Sequence, residues 1–282
     1  MSSLTITTIQ TGLKWEDKIA NLRHFEARIE SINKPTELVI LPEMFSTGFS
    51  MQPELLAETM DGPTLHWMRE MAARKKIILT GSVIIEENGH YFNRLIWMLP
   101  NGQYGYYDKR HRFAYAGEDA HYTAGGKRLV ASVKGWRVLP LVCYDLRFPV
   151  WSRQTPQEPA ENEAPETPSV SAAGGSGPEL EYDLLLYVAN WPERRSHAWK
   201  TLLQARAIEN QCYVAGVNRI GPDGHDIHHS GDSMIIDPLG ETLYQAGAKD
   251  EIFTLTLQKD DLAKVRERFP FWRDADHFSI EL

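Results

Sequence analysis

Short apolar runs alternate with amphipathic segments along most of this chain. In segment 16–32 the apolar residues recur three or four positions apart, which is the spacing of one helix face. Asn88 and Gly89 separate two apolar runs and indicate a β-hairpin. Strands that alternate with helices in this way predict an α/β fold built in layers. The predicted strands are 4–10, 37–41, 77–85, 91–99, 103–107, 136–143, 182–189, 212–217, 233–237, 242–245 and 252–257, and the predicted helices are 16–32, 64–75 and 196–211. We expect the last four strands to complete a second sheet region.

Residues 154–181 differ in composition from the rest of the chain. They contain five Pro, three Gly and six Glu, with no aromatic residue and no Lys or Arg. Such a segment cannot bury enough apolar surface to offset the entropy of ordering it. We expect a mobile surface insertion in a single domain that covers residues 1–282, because the flanking segments continue the same α/β pattern. A domain boundary and a lid over a binding site remain open as alternatives.

The charge balance and the apolar pattern exclude several classes of partner. The chain has 30 basic and 38 acidic residues, and subtracting the six Glu of 154–181 leaves 32 acidic residues. A nearly neutral body lacks the basic stripe that phosphate binding needs, so no nucleic-acid partner is expected. No apolar run approaches the ~18 residues of a membrane span, and the N-terminus has no signal-peptide pattern. Two cysteines without a C-x-x-C motif fit a reduced compartment, so we expect a cytoplasmic protein.

Chemically useful side chains stand at the ends of three predicted strands. Glu43 follows the second strand, Cys143 ends the sixth, and Asn190 and Trp191 follow the seventh. In open α/β sheets, ligands bind outside the carboxyl ends of the strands. We therefore expect a carboxylate, a thiol and an amide to meet at one rim of the predicted sheet.

Cys143 is the candidate nucleophile. A strand-to-helix turn after it would direct the backbone N–H groups of Tyr144 and Asp145 at the sulfur, where they favour a thiolate or a developing oxyanion. The alternative is a buried thiol of the core, since free cysteines are often interior. Cys212 lies within a predicted strand without such an exit, and we interpret it as structural.

A cysteine nucleophile needs a base, and here the sequence offers a carboxylate. None of the ten histidines stands in a compelling context. Glu43 can accept the proton if it is held away from water and near a cation, because desolvation raises carboxylate basicity. The candidate cation is Lys109, between Asp108 and Arg110, although a lysine in a charged run also fits a solvated surface.

Three blocks of sequence resemble the nitrilase (carbon–nitrogen hydrolase) superfamily, in the order that this superfamily has. They are LPEMFSTGF around Glu43, YDKRHRF around Lys109 and LVCYDLRFPVW around Cys143. The later segments ANWPERRSHAWKTLLQARAIENQCYVAGVNR and GDSMIIDPLGE are similar to it as well. Within the superfamily, YDLRFPVWSR, YVANWP and RAIENQ are most similar to bacterial omega-amidases, which hydrolyse 2-oxoglutaramate. The resemblance covers nearly the whole chain except 154–181.

The resemblance implies a fold and a set of catalytic residues. The implied fold is a four-layer αββα sandwich with two mixed sheets between helix layers, and the chain would form a homodimer and need no cofactor. The implied triad is Glu43, Lys109 and Cys143. Glu118 matches a second glutamate that would orient the lysine and the substrate. Cys143 would attack the amide carbon and form a thioester, with Glu43 as the base. Lys109 and the N–H of Tyr144 would stabilise the oxyanion.

The substrate that the resemblance implies is a small amide with a carboxylate, either 2-oxoglutaramate or 2-oxosuccinamate. Its carboxylate needs a cation away from the cysteine. Arg147, Arg194 and Arg195 follow strand ends, where an arginine could bind a carboxylate with two hydrogen bonds. The aromatic residues expected to wall the pocket are Phe113, Tyr144 and Trp191. Ion pairs for the arginines and core packing for the aromatic residues are the plainer interpretations.

Other functions fit parts of the sequence. A possible metal cluster lies in GHDIHHSGDS, with His225, Asp226, His228 and His229. This loop lacks a helix to align the ligands, so we expect no metal. A non-catalytic binding protein on the same scaffold is a second alternative, although all three triad positions are filled. Hydrolysis of nitriles or carbamoyl groups would need the same triad, so only the shape of the pocket separates those activities.

Overall fold

The computed structural model describes residues 2–154, 180–276 and 278–281. The insertion predicted at 154–181 therefore lies outside the described residues, apart from its first residue and its last two. The single domain over 1–282 stays a prediction. The strands are β1 (Ser3–Gln10), β2 (Leu38–Ile40), β3 (Ile78–Glu87), β4 (His90–Met98), β5 (Tyr104–Asp108), β6 (Ala131–Val133), β7 (Trp136–Val142), β8 (Leu184–Ala189), β9 (Tyr213–Asn218), β10 (Ile220–Pro222), β11 (His228–Ser230), β12 (Met234–Ile236), β13 (Thr242–Gln245) and β14 (Glu251–Gln258). The helices are α1 (Lys18–Glu30), α2 (Pro53–Leu56), α3 (Pro63–Lys75), α4 (Glu118–His121), α5 (Pro149–Ser152), α6 (Ser196–Asn210) and α7 (Lys259–Arg268).

Within the described residues, the strands form two six-stranded mixed sheets. The first has the order β14-β1-β2-β3-β4-β5, and the second has the order β13-β12-β9-β8-β7-β6. Three parallel strands lie inside each sheet, β1 to β3 in the first and β7 to β9 in the second. Antiparallel strands extend both sheets on either side, and β10 and β11 pair separately.

The alternation of side chains along β2 shows how the layers are arranged. Leu38 and Ile40 join a core that also contains side chains of the second sheet. The alternate residues Val39 and Leu41 join a second core with α1 and α3. On the far side of the second sheet, α6 packs so closely that a Cβ on Gly216 of β9 would lie 2.5 Å from Leu203. The layers are therefore helix, sheet, sheet and helix, which confirms the predicted αββα sandwich.

The prediction that strand 252–257 completes the second sheet is wrong. This strand is β14, which pairs antiparallel with β1 at the edge of the first sheet. Threonines face each other on one side of the pair, with 2.9 Å between the hydroxyls of Thr5 and Thr256. Leu4 and its partner Leu257 are buried in the inter-sheet core. The matching alternation of the two strands stabilises a pairing that sequence neighbourhood does not suggest.

Element boundaries differ from the prediction by a few residues, and some elements were not predicted. Helix 16–32 begins at Lys18, because the Asp17 side chain caps it by accepting the N–H of Ala20 at 2.9 Å. Strand 136–143 ends one residue early, so Cys143 belongs to the turn that follows. β6 and α7 are among the elements that were not predicted from the sequence. Among the described helices, none has both the length and the apolar character needed to cross a bilayer.

Candidate active site

Glu43 joins the two sheets at their carboxyl ends. It follows β2 of the first sheet and is fully buried. Its Oε2 accepts the backbone N–H of Asn190, which follows β8 of the second sheet, at 2.8 Å. The Asn190 side chain donates to the backbone carbonyl of Glu43 at 2.6 Å. The expected meeting of strand ends is therefore correct, but the rim belongs to two packed sheets and not to a single sheet.

Lys109 is buried beside Glu43 and Glu118. It directly follows β5, and 1% of its side chain is exposed. Its Nζ lies 2.8 Å from Oε1 of Glu43 and 2.9 Å from each carboxylate oxygen of Glu118. Burial opposes the charge on Lys109, but Glu118 and Glu43 outweigh it and raise the pKa of the lysine. The interpretation of Lys109 as a solvated surface residue is therefore wrong, and the lysine stays charged.

Glu118 is fully buried at the start of α4. Besides Lys109, its carboxylate accepts the backbone N–H of Phe113 at 2.5 Å. Burial raises the pKa of Glu118, the charge of Lys109 opposes this effect, and Glu43 adds to it. A buried ammonium thus lies between two buried carboxylates, a group with a net charge of −1 when both carboxylates are ionised.

Cys143 is placed next to this group by an unusual backbone conformation. Its φ of 43° lies in the left-handed region, at the point where β7 passes into the 3₁₀ turn Cys143–Arg147. The thiol is buried, and the charges of Glu43 and Lys109 both act on it. Burial and the nearby Glu43 raise the pKa of Cys143 well above its ordinary value, although Lys109 opposes this effect. Cys143 is therefore a thiol near neutral pH, and Glu43 is in place to accept its proton.

Asp145 supports the turn that carries Cys143. This buried carboxylate accepts the backbone N–H of Val142 at 3.0 Å and the hydroxyl of Tyr107 at 2.8 Å. It also accepts the backbone N–H of His111 at 3.0 Å and lies 2.9 Å from its Nδ1. This network of Asp145, Tyr107 and His111 was not predicted from the sequence, because Asp145 lies far along the chain from the other two residues. The network holds the turn that carries the candidate nucleophile Cys143 in place.

A cavity of about 230 Å³ opens beside Cys143. The residues predicted to bind substrate all line it, namely Phe113, Tyr144, Arg147, Trp191 and Arg195. Lys109 and Asn190 line it as well, whereas Glu43 and Glu118 are not among its described lining residues. The cavity therefore brings the predicted pocket residues to the nucleophile, and their contact with a substrate stays a prediction.

Two of the predicted arginines lie over aromatic rings of the cavity wall. The guanidinium carbon of Arg147 is 5.0 Å from the ring centre of Trp191, and that of Arg195 is 5.0 Å from the ring centre of Phe113. Burial and the neighbouring Arg194 lower the pKa of Arg195. Within the described part of the chain, no carboxylate forms a salt bridge with either guanidinium. The described residues therefore do not support the ion-pair interpretation of these two arginines. Both guanidinium groups can bind an anion in the cavity.

The histidine-rich loop assembles no metal site among the described residues, since no group of three or more His, Cys, Asp or Glu side chains is placed to hold an ion. His229 is buried, with its Nδ1 3.2 Å from the carbonyl oxygen of Gly221. Burial and the nearby Arg219 lower the pKa of His229 to about 4, so it is neutral at physiological pH. The ring of His225 packs against Trp15 instead.

Comparisons with known proteins agree with this geometry. The carbon–nitrogen hydrolase family model matches residues 5–162 and 179–267. The omega-amidase YafV of Escherichia coli K12 is 42% identical over 281 residues, which cover 99% of this chain and 100% of that protein. The 2-oxoglutaramate amidase of Bacillus subtilis is 30% identical over 273 residues, which cover 96% of each chain.

Solved structures share the fold. XC1258 from Xanthomonas campestris, a CN-hydrolase superfamily protein with an arsenic adduct in its active site, has a TM-score of 0.91 and 43% identity, with full coverage of both chains. An amidase from Nesterenkonia has a TM-score of 0.75 and 24% identity over 96% of each chain, which supports the fold alone. The family match and the relatives together establish that this chain belongs to the carbon–nitrogen hydrolase family.

Proposed function

We propose that this protein is an omega-amidase that hydrolyses the terminal amide of 2-oxoglutaramate or 2-oxosuccinamate. The products are the 2-oxo-dicarboxylate and ammonia. One observation carries the proposal: Cys143 and a buried lysine that is paired with a buried glutamate line one small cavity, which also contains arginines without a carboxylate partner among the described residues. The relatives at 42% and 30% identity support the same reaction.

The first half of the reaction forms a thioester. The proton of the Cys143 thiol passes to Glu43 while the sulfur attacks the amide carbon and the carbonyl oxygen becomes an oxyanion. The proton on Glu43 then moves to the nitrogen, the carbon–nitrogen bond breaks, and ammonia leaves. The raised pKa of Cys143 suits this sequence, because the thiol keeps its proton until the substrate is bound.

The second half hydrolyses the thioester. Glu43 takes a proton from a water molecule while the water oxygen attacks the acyl carbon. The carbon–sulfur bond then breaks, the carboxylic acid leaves, and the sulfur recovers the proton from Glu43. Amide and water become acid and ammonia, and the enzyme returns to its starting state.

Lys109 stabilises the oxyanion in this proposal mainly through its charge. Its Nζ has three N–H groups, and three carboxylate oxygens of Glu43 and Glu118 lie within 2.9 Å of it. A fixed positive charge in a site shielded from water lowers the energy of a developing negative charge without reorganisation. The backbone N–H of Tyr144 is proposed to donate the hydrogen bond to the oxyanion.

The cavity favours a substrate with a free carboxylate and no ammonium. Arg147, Arg194 and Arg195 line it, whereas Asp223 is the single acidic residue among the described lining residues. A guanidinium can bind a carboxylate with two parallel hydrogen bonds. Glutamine carries an ammonium where 2-oxoglutaramate has a keto oxygen. The arginines repel this ammonium, so they disfavour glutamine.

Assembly and location are part of the same proposal. By family resemblance we expect a homodimer in the cytoplasm, and the free, buried cysteines Cys143 and Cys212 agree with a reducing compartment. Light scattering on the purified full chain tests the dimer, and cell fractionation tests the location.

Ammonia release from a panel of four compounds tests the function. The panel is 2-oxoglutaramate, glutamine, an N-carbamoyl amino acid and a simple nitrile, with Cys143→Ala as the control that loses the sulfur. We expect kcat/KM for 2-oxoglutaramate to exceed the others by orders of magnitude. Comparable turnover of the nitrile or the carbamoyl compound would contradict the substrate. A binding role is indicated instead if no compound yields ammonia or an acyl adduct.

A further inference from the structure

Asn93 contacts three of the residues proposed to carry out the reaction. It lies in β4 and its side chain is buried. Its Nδ2 is 2.8 Å from Oε1 of Glu43 and 3.3 Å from Oε1 of Glu118. Its backbone carbonyl accepts the N–H of Lys109 at 3.0 Å. One strand residue thus connects the base, the lysine and the second glutamate.

The side-chain amide of Asn93 serves only as a donor. Its nitrogen has two N–H groups and faces two carboxylate oxygens. Its Oδ1 is buried and has no hydrogen-bond partner in the described part of the chain. Reversing the amide would place this oxygen against Glu43 and Glu118, where oxygens repel one another. The two carboxylates therefore set its orientation.

Counting the hydrogen bonds to the two carboxylates leaves one lone-pair site without an N–H donor among the described residues. Each carboxylate has about four lone-pair sites. Glu118 receives four donors from the described residues, two contacts from Lys109 and one each from Asn93 and the N–H of Phe113. Glu43 receives three backbone or side-chain N–H donors.

Two of the three donors to Glu43, from Lys109 and Asn93, reach Oε1. The third, the backbone N–H of Asn190, reaches Oε2. The second lone pair of Oε2 is thus the site without an N–H donor among the described residues. It is the position that the neighbouring thiol of Cys143 can use.

We propose that Asn93 is a positioning residue that reserves Oε2 of Glu43 for proton transfer. The inference rests on the proposed function in one respect, that Glu43 is the base. Asn93 occupies the second site on Oε1, so that protons from Cys143 and from the attacking water arrive at one oxygen.

The acid limb of the pH–rate profile tests this role. The charged or titratable groups near Glu43 are Lys109 after β5, Cys143 after β7, and Glu118 and Tyr122 at the two ends of α4. Asn93 carries no charge at any pH. Asn93→Leu removes both donors at similar volume and adds no titrating group, so a shift of the profile reports on the existing groups. Asn93→Ala is a second variant that avoids the longer apolar side chain.

The matched control is Asn210→Leu. Asn210 is a buried asparagine whose side chain donates to the carbonyl of Arg206 at 3.0 Å, at the end of α6. Asn210 is not among the described lining residues of the cavity and has no hydrogen bond to Glu43 or Glu118. It measures what the loss of a buried amide does to folding alone.

We expect the acid limb of kcat/KM to move to higher pH by about one unit in both Asn93 variants, because a hydrogen bond to a charged group is lost. kcat falls ~10–100-fold. KM changes less than about threefold, since Asn93 is not among the described cavity-lining residues. Asn210→Leu keeps the wild-type profile.

Inactivation by iodoacetamide gives a second readout that needs no amide substrate. Its pH profile follows the transfer of the Cys143 proton to Glu43, and we expect the same upward shift in the Asn93 variants. The shift can therefore be measured even where the ammonia panel contradicts the proposed substrate. Folded Asn93→Ala or Asn93→Leu protein with both profiles within about 0.2 pH unit of wild type would overturn the proposal.

Discussion

The two cysteines of this chain are both free and buried, yet their surroundings differ. Cys143 has a left-handed backbone conformation, lies within the influence of the Glu43 carboxylate and lines the cavity. Cys212 is completely buried just before β9 and is not among the described lining residues of that cavity. Each cysteine has a salt bridge in its neighbourhood, the buried pair of Lys109 and Glu43 near the first and the partly buried pair of Arg266 and Asp183 near the second.

The comparison shows that burial does not identify the nucleophile. Burial raises the pKa of both thiols, to about 12 for Cys212 and well above its ordinary value for Cys143. The carboxylate of Asp183 is already bound by Arg266, Lys259 and the backbone N–H of Arg137. Near Cys143, in contrast, Oε2 of Glu43 accepts one N–H donor among the described residues, from Asn190, and can accept the proton of the thiol. What distinguishes Cys143, the proposed nucleophile, is a proton acceptor and space for a substrate.

The largest expected difference is between the two alanine variants. Cys143→Ala removes the sulfur and little volume, so ammonia release falls by at least ~10⁴-fold while the protein folds normally. Cys212→Ala keeps kcat within twofold and lowers the free energy of unfolding by about 1 kcal/mol. Steady-state ammonia assays and urea unfolding of both variants measure this. Equal loss of activity in the two variants would remove the distinction between the cysteines.

The cations near the two cysteines, Lys109 and Arg266, give the next largest difference. Lys109→Met leaves Glu43 and Glu118 without their cation, so we expect kcat to fall ~10³-fold and stability to fall by about 3–5 kcal/mol. Arg266→Met removes a cation that is 14% exposed, but Asp183 keeps its salt bridge with Lys259 at 3.0 Å, so we expect a smaller loss of stability. Its kcat stays within twofold of wild type. If Arg266→Met folds and loses as much turnover as Lys109→Met, the proposal that Lys109 stabilises the oxyanion would be contradicted.

The rates at which iodoacetamide alkylates the two thiols provide the third difference. At neutral pH Cys143 keeps its proton because its pKa is raised, and its reaction with iodoacetamide depends on ionised Glu43. We expect Glu43→Gln to slow alkylation of Cys143 by ~100-fold, toward the slow rate of Cys212. Peptide mass spectrometry after a timed exposure measures both sites. The wild-type rate falls as the pH is lowered, and unchanged alkylation in Glu43→Gln would indicate another base.

The smallest expected effect concerns the substrate carboxylate. Arg195→Leu removes a guanidinium from the cavity wall, and we expect KM for 2-oxoglutaramate to rise ~10–100-fold with a smaller change in kcat. The matched comparison is a neutral amide without a carboxylate, whose KM changes little. A similar rise in KM for both amides would indicate that Arg195 shapes the cavity but does not bind the carboxylate. Arg147→Leu, assayed in the same way, ranks the two arginines.

The sequence predicts the residues that lie beside strand ends better than those that depend on the packing of two sheets. Glu43 and Cys143 follow strands, and the general rule for α/β sheets places them at the site. Glu118 has no such local signal and came from the family resemblance. Asn93 lies in the middle of a strand, where a buried amide gives no pattern in the sequence.

The pairing of strands that are distant in the sequence is the second feature that local patterns do not predict. The threonines of β14 match those of β1, but about 240 residues separate the two strands, and local patterns cannot specify such a partner. The network of Asp145 with Tyr107 and His111 was missed for the same reason, since it joins segments from both sheets. Alternation predicts which face of a strand is buried, whereas the partner depends on the whole fold.

Acid quenching during steady-state turnover, followed by peptide mass spectrometry, tests the central claim most directly. With 2-oxoglutaramate as substrate, we expect an acyl group that lacks the amide nitrogen on the peptide containing Cys143, and none on the peptide containing Cys212. The adduct disappears when the substrate is exhausted. Turnover that proceeds with no acyl group on Cys143, or with one on Cys212, would contradict the account.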